Sequence, residues 1–432
     1  MSDASIQSLP PELIRHIFLS SKPHSGFRSS TRPRDVPILL THVCSQWREI
    51  ALSTSALWTG LDLDTSMLHL VEIIFAWSIR SGTLPLTLTL SGDLTDFFDT
   101  VTYFEEIMML LAPRIEKLEL FMSMIEDIDI FDEVQLTFPN LREVYFQPSL
   151  GLDPDEPEVD GNLFLRCRKL QKVSMAHMPA DGVRLPWAQL TSFEHCGRRR
   201  ESIIEDPLQI LRLAPNLLHM SCAVHNQQRE DTPTPLLHAK LEHLELNAEP
   251  ADLHQQHFLA FFTLPSLKVL ECSDSDGLTS EALDAFLERS SPPLETLLVH
   301  PYDIQSFSSI KPFQRLATLS RLDLRLISTS FASAFLEAFT SSSNPILPSL
   351  SNLTLGCRQN AFDRDDTPEA DLPFLTARLP VAFLAKRRRT CLVHVLVVRL
   401  PLRGTLALDE QVVSAYAEMR KRGARVYVST ER

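Results

Sequence analysis

The sequence predicts an α/β solenoid, with parallel strands lining a concave wall, helices on the convex side and a small all-α lobe at the amino terminus. Three observations carry this reading. An apolar triplet spaced L-x-x-L-x-L returns ten times, at steps of 20 to 31 residues. Helical stripes precede Ile115, Leu217, Leu267, Leu294 and Leu350. The first 60 residues carry a different pattern, with helical periodicity and no triplet.

The first leg of the triplet falls at Ile115, Leu141, Leu170, Leu190, Leu217, Leu241, Leu267, Leu294, Leu319 and Leu350. The second falls at Leu118, Val144, Val173, Phe193, Met220, Leu244, Leu270, Leu297, Leu322 and Leu353. The third falls at Leu120, Phe146, Met175, His195, Cys222, Leu246, Cys272, Val299, Leu324 and Leu355, where His195 alone is not apolar. In a chain that is 44% hydrophobic, two wholly apolar columns of ten are not a chance alignment. This is the period and strand signature of a leucine-rich repeat. Such repeats stack side by side and offer their concave wall to other proteins.

A proline stands two residues before the first leg in six copies, at Pro113, Pro139, Pro215, Pro265, Pro292 and Pro348. Proline lacks an N–H and clashes with a preceding helical turn, so each is expected to stop a helix and launch a strand. Asp206-Pro207 reads as an N-cap followed by proline at the first helical position. Leu61–Leu63 and Leu84–Gly92 read as strands ahead of the ten copies, with a helix over 67–82 between them. The stretches 151–161, 225–235 and 358–373 are polar or proline-rich and are expected to be surface excursions. Strand, helix and strand at the end, from Leu392 onward, suit a cap over the last apolar layer.

Composition narrows the function classes. The chain has 432 residues and a net charge of −14, which repels phosphate backbones and argues against nucleic acid as the main partner. Seven cysteines stand singly, with no C-x-x-C, as expected of a reduced protein of the cytoplasm or nucleus. Neither a signal peptide nor an apolar run long enough to span a membrane is expected. No nucleophile motif, phosphate loop, metal or cofactor is expected, so the chain reads as a binding protein and not an enzyme. The spacing His219-x-x-Cys222-x-x-His225 has zinc-ligand types, as does His254-x-x-His257. But His219 and Cys222 are an odd number of residues apart on a strand and point to opposite faces. The basic run Lys386–Arg389 suits either a nuclear-import signal or a solvated turn before a strand.

The amino-terminal pattern is specific. Pro10-Pro11 suits a helix start, and Leu13, Ile14, Ile17 and Phe18 share one helical face. A polar stretch, 20–35, follows. Then Val43, Cys44, Trp47, Ile50 and Ala51 form a second stripe, and Thr54 or Ser55 is placed to cap a turn ending at Trp58. Leu9-Pro10-Pro11-Glu12-Leu13 with Ile17-Phe18, then Val43-Cys44-Ser45-Gln46-Trp47-Arg48, Ala51-Leu52 and Leu57-Trp58, resembles a fungal F-box. The resemblance divides the chain into a tail (1–8), an F-box (9–59) and a repeat solenoid with its cap (60–432). It implies that Leu9, Pro10, Leu13, Ile14, Ile17, Phe18, Val43, Trp47 and Trp58 dock on a Skp-type adaptor, itself held by a cullin scaffold. The chain would then be the substrate receptor of a ubiquitin ligase. The plainer alternative is a lobe that only caps the first repeat. A helical segment of about 50 residues cannot by itself bury so many large apolar groups.

On each strand the residue between the second and third legs faces the concavity. That column includes Glu119, Tyr145, Glu194, Glu245, Glu271 and Asp323, and five of its ten members are acidic. They form the expected target-binding stripe, suited to a basic segment of a partner protein. The alternative is that these charges only keep the wall soluble.

Overall fold

The computed structural model describes residues 9–21, 36–64, 67, 69–94, 96, 98, 104–122, 128–148, 162–176, 183–196, 207–224, 235–248, 258–275, 278–301, 307–340, 346–357, 392–398, 410–421 and 425–431. The tail 1–8, the stretch 22–35, the excursions at 151–161, 225–234 and 358–373, the basic run 386–389, Asp206, His254 and His257 lie outside them. The fold is mixed α/β, with parallel strands and helices, and divides into two compact units, 1–205 and 206–432.

The first unit opens with three helices, α1 (Pro11–Ser20), α2 (Val36–Thr41) and α3 (Ser45–Ser53). Pro11 stands at the start of α1, where its missing N–H costs nothing. Cys44 caps α3, its Sγ accepting the Trp47 N–H at 3.5 Å. A 3-10 turn, Ser55–Trp58, follows, but neither expected side-chain cap forms. The Thr54 hydroxyl donates back to the Ile50 carbonyl at 2.6 Å, a local bond that competes with capping.

Six strands then pair in chain order, each parallel to the one before: β1 (Gly60–Asp64), β2 (Leu86–Gly92), β3 (Ile115–Met122), β4 (Glu143–Phe146), β5 (Lys172–Ala176) and β6 (Ser192–Cys196). Parallel pairing requires a crossover between successive strands. Helix α4 (Leu70–Ser81) makes the crossover from β1 to β2 and turns Leu70, Ile74 and Trp77 inward. β2 carries the buried triplet without its sequence signature. Leu86, Leu88 and Leu90 align with Ile115, Leu118 and Leu120, because a register shift in β3 absorbs one residue.

The second unit repeats the scheme. Its sheet runs β7 (His219–Val224), β9 (His243–Ala248), β11 (Val269–Ser275), β12 (Thr296–Pro301), β13 (Arg321–Ile327), β14 (Asn352–Cys357), β15 (Leu392–Val398) and β16 (Arg425–Glu431), again all parallel. β8 (Leu236–Leu237) and β10 (Phe262–Thr263) form a separate short pair. The expected closing strand, helix and strand are β15, the helix Glu410–Lys421 and β16.

All thirty side chains of the triplet columns are at most 6% exposed, His195 included. Fully burying one such aliphatic group contributes roughly 1.5–3 kcal/mol. Phe307, Phe313, Phe331, Phe335 and Phe339 add an aromatic layer in the second unit, with successive ring centroids 6.1–6.4 Å apart. Asp284, on the helix Ser280–Ser290, is 7% exposed and holds Lys311 at 2.7 Å and Arg315 at 2.8 Å.

Helices end directly before Pro113, Pro215 and Pro292, as expected, but the proline positions also have a second cause. In five of the six copies the first-leg N–H donates to the carbonyl three residues earlier: Ile115 to Ala112, Leu141 to Phe138, Leu217 to Ala214, Leu267 to Leu264 and Leu350 to Leu347. The proline is the second residue of that turn, where its fixed φ fits. Pro139, Pro265 and Pro348 therefore shape turns and do not end helices. The helix before Pro292 is ended by Ser291, in the left-handed region at φ 43°. The residue after the proline often ties one repeat to the last: Asn140 Nδ2 donates to the Pro113 carbonyl, Ser266 Oγ to Ala239 and Ser349 Oγ to Ala317, at 2.6–2.8 Å.

The copy at Leu241 has no proline and uses a histidine instead. His238 is 4% exposed. Its Nδ1 accepts the Leu241 N–H at 3.1 Å and its Nε2 reaches the Ala214 carbonyl at 3.1 Å. One imidazole thus replaces a turn carbonyl and ties two repeats together. His238→Ala removes both bonds and leaves a void, so it should cost the second unit about 3 kcal/mol. It should also speed hydrogen exchange of the Leu241 amide. A urea midpoint unchanged from the parent chain would refute this role.

Candidate functional site

Two surfaces stand out, one on the helical lobe and one on the open side of each sheet. In the lobe the apolar stripe of α1 splits. Ile14 is 0% and Phe18 1% exposed, whereas Leu13 is 52% and Ile17 43% exposed. Leu13 and Ile17 lie one helical turn apart, so α1 has an inner and an outer apolar face. Val43 is the most exposed of the lobe's large aliphatic residues, and Leu39 and Leu52 are also exposed.

The inner face is tied down. Phe18 meets Trp47 edge-on with ring centroids 4.9 Å apart. Trp58 is 2% exposed, and its Nε1 donates to the Ala51 carbonyl at 2.9 Å. Its ring packs edge-on against Trp77 of α4 at 4.8 Å, and the Arg80 guanidinium lies 4.6 Å from its centroid. Trp77 Nε1 in turn donates to the Gly60 carbonyl at 2.7 Å. These contacts join the helices to the first strand.

Of the nine lobe residues singled out by sequence, Ile14, Phe18 and Trp58 are therefore core and out of reach of a partner. Leu9 and Trp47 are half-buried, and Pro10, Leu13, Ile17 and Val43 are exposed. Leu39 and Leu52 join the exposed group without having been singled out. Leu52 was legible as the outward neighbour of Ala51 in the second stripe. Leu39 lies on α2, whose six residues are too few to show a period.

The strand residues between the second and third legs fall in one register row within each unit. In the first unit the row is Thr89, Glu119, Tyr145, Ser174 and Glu194. Its charges are engaged. Glu119 pairs with Lys117 Nζ at 2.7 Å and accepts the Thr89 hydroxyl at 3.2 Å. Glu194 accepts the Ser174 hydroxyl at 3.0 Å, and the Tyr145 hydroxyl donates to Gln147 at 2.7 Å.

In the second unit the row is Ser221, Glu245, Glu271, Leu298, Asp323 and Thr354. Beside it run His219, His243, Val269, Thr296, Arg321 and Asn352. Glu245 accepts the Asn247 amide at 3.1 Å, and Glu271 lies 3.8 Å from His243. Asp323 is not a free carboxylate. It is 5% exposed and held by Arg325 Nε at 3.2 Å and Nη2 at 3.4 Å. His300 Nε2 lies 3.7 Å away, beyond hydrogen-bond reach. Burial pushes the Asp323 carboxyl up, but Arg325 and His300 outweigh it and hold it below its ordinary value. The expected acidic stripe is thus compensated at Glu119 and Asp323.

His219 is exposed while Cys222 is fully buried, on opposite sides of β7 as strand alternation requires. Burial pushes the thiols of Cys222 and Cys272 up to about 12 and that of Cys167 up to about 11. These three cysteines act as small apolar core residues. Among the described residues no group of three metal-ligating side chains converges, and no helix is long and apolar enough to cross a membrane. No protein-family model and no curated protein matches the sequence.

A carboxyl held low in the folded chain adds stability above the ordinary aspartate value of about 3.9 and loses it as pH falls through the lowered value. Asp323→Asn should therefore cost about 1–2 kcal/mol at pH 7. Urea midpoints of the two chains should converge as the pH is taken below about 4. An equal gap at both ends of that range would refute the pairing with Arg325.

Proposed function

We propose that this chain is the substrate-recognition subunit of an SCF-type ubiquitin ligase, with an F-box lobe and a leucine-rich-repeat solenoid. The observation that carries the reading is the outer apolar face of the lobe. Leu13, Ile17 and Val43 are 43–58% exposed on a segment whose pattern resembles an F-box. Exposed apolar groups of this kind mark a protein contact. The buried triplets, recurring strand after strand in parallel, support the repeat reading of the remainder.

The chain would do no chemistry of its own. The lobe grips a Skp-type adaptor, the adaptor sits on a cullin, and the sheet face holds a target protein. Tethering the target beside the ubiquitin-loaded enzyme raises its effective concentration, so transfer becomes an event within one assembly. A lobe that only caps the sheet explains why Ile14, Phe18 and Trp58 are inside. It gives Leu13, Ile17 and Val43 no purpose.

Leu13→Ala combined with Ile17→Ala should weaken capture of a purified Skp-type adaptor by roughly 30-fold or more, as for truncation of interface anchors. The melting temperature should hardly change, because both side chains face outward. Ile14→Ala should instead destabilise the lobe by about 3 kcal/mol. An adaptor that ignores the parent chain, or binds the double variant equally well, would refute the proposal.

A further inference from the structure

The open face of the second unit has two poles. On β9 and β11, Glu245 and Glu271 are register neighbours, and neither forms an ion pair with lysine or arginine among the described residues. Two strands beyond β11, on β13, Arg321 is exposed and has no ion pair among the described residues, beside an Arg325 already engaged by Asp323. Between the poles, β12 presents Leu298, half-exposed and uncharged, in the same row as the two glutamates. In the first unit Lys117 closes off Glu119 at 2.7 Å.

The spacing of the poles selects a ligand. Parallel strands lie about 4.8 Å apart. From a point midway between β9 and β11, Leu298 on β12 is about 7 Å away, and Arg321 on β13, which stands two residues before the row, is about 14 Å away. An extended peptide places successive side chains of one face about 6.7 Å apart, and the next about 13 Å from the first. A peptide crossing the strands obliquely, toward the start of β13, therefore meets the acidic pole, the apolar centre and the basic pole with residues i, i+2 and i+4.

We infer that this face binds an extended segment of the target with a basic residue, an apolar residue two further on and an acidic residue four further on. The inference rests on reading the sheet face as the target-binding surface, and it adds the class of segment that fits. The basic side chain enters between Glu245 and Glu271. The apolar one covers Leu298, and the acidic one pairs with Arg321. Charge complementarity sets position along the face, and the apolar contact between the poles excludes water from both ion pairs. An acidic stripe alone would accept any polybasic segment, whereas the two-pole face rejects one.

The test uses the full chain without adaptor and a fluorescein-labelled peptide containing Lys-Ser-Leu-Ser-Glu, read by fluorescence anisotropy in low-salt buffer. The parent peptide should bind at least fivefold tighter than peptides with serine in place of the lysine, the leucine or the glutamate. The double variant Glu245→Gln, Glu271→Gln should no longer distinguish the parent from the lysine-less peptide. Arg321→Gln should no longer distinguish it from the glutamate-less one. The double variant Glu245→Lys, Glu271→Lys should prefer a peptide with glutamate in place of the lysine, which separates a change of preference from a loss of folding. Parent binding no tighter than that of a peptide lacking both charges, or variants that discriminate as the parent chain does, overturns the inference. Adaptor capture plays no part in this assay, so its failure leaves the ligase proposal standing, and failure of adaptor capture leaves the two-pole face standing.

Discussion

The constraint on which everything else depends is the alternation of a strand that is buried on one side only. In every repeat the three legs must go inward, because they are the apolar surface available to hold one strand's layer on the next. Once they are inward, the residues between them must face outward. The outward rows are therefore fixed by the core and not chosen by the partner. A slip of one residue would send Leu244, Leu246 and Leu270 to the surface and Glu245 and Glu271 into the interior. The same packing that stabilises the sheet also aligns Glu245 with Glu271 and sets Arg321 two strands beyond Glu271.

This coupling explains which parts were legible from the residues alone. The triplets were legible because strand alternation and repeat length both leave marks in one dimension. β2 lacked its mark because the extra residue that restores its alignment belongs to β3, a different repeat. The prolines were visible, and so was the helix end before three of them, but the turn they shape was not. A turn closed by the first-leg N–H and a helix stop both favour proline, and only the hydrogen bonds tell them apart. His238 gave no signal, since nothing in its neighbourhood reveals that its ring replaces a backbone carbonyl.

The charges on the open face divide along the same line. Pairs two residues apart on one strand, Lys117 with Glu119 and Asp323 with Arg325, share a face by alternation and were readable in principle. The acidic column taken alone is more negative than the face that carries it. Pairs across strands, such as Ser174 with Glu194 and His243 with Glu271, depend on register between residues 20 or more apart. The sequence contains that register only through the triplets.

The lobe shows the converse limit. A helical stripe reports that one side of a helix is apolar, but not how wide that side is compared with the core beneath it. On α1 the core takes Ile14 and Phe18, and Leu13 and Ile17 are left over. A lobe fixed to its own sheet through Trp58, Trp77 and Arg80 needs no further apolar contact for its stability. Exposed aliphatic groups on so small a lobe cost solubility and return no folding energy. The proposed adaptor contact would cover them. The Trp58 and Trp77 contacts also tie these helices to β1. The proposed substrate receptor would use that linkage. Tethering raises the effective concentration of a target only when the linkage restricts where the target can go.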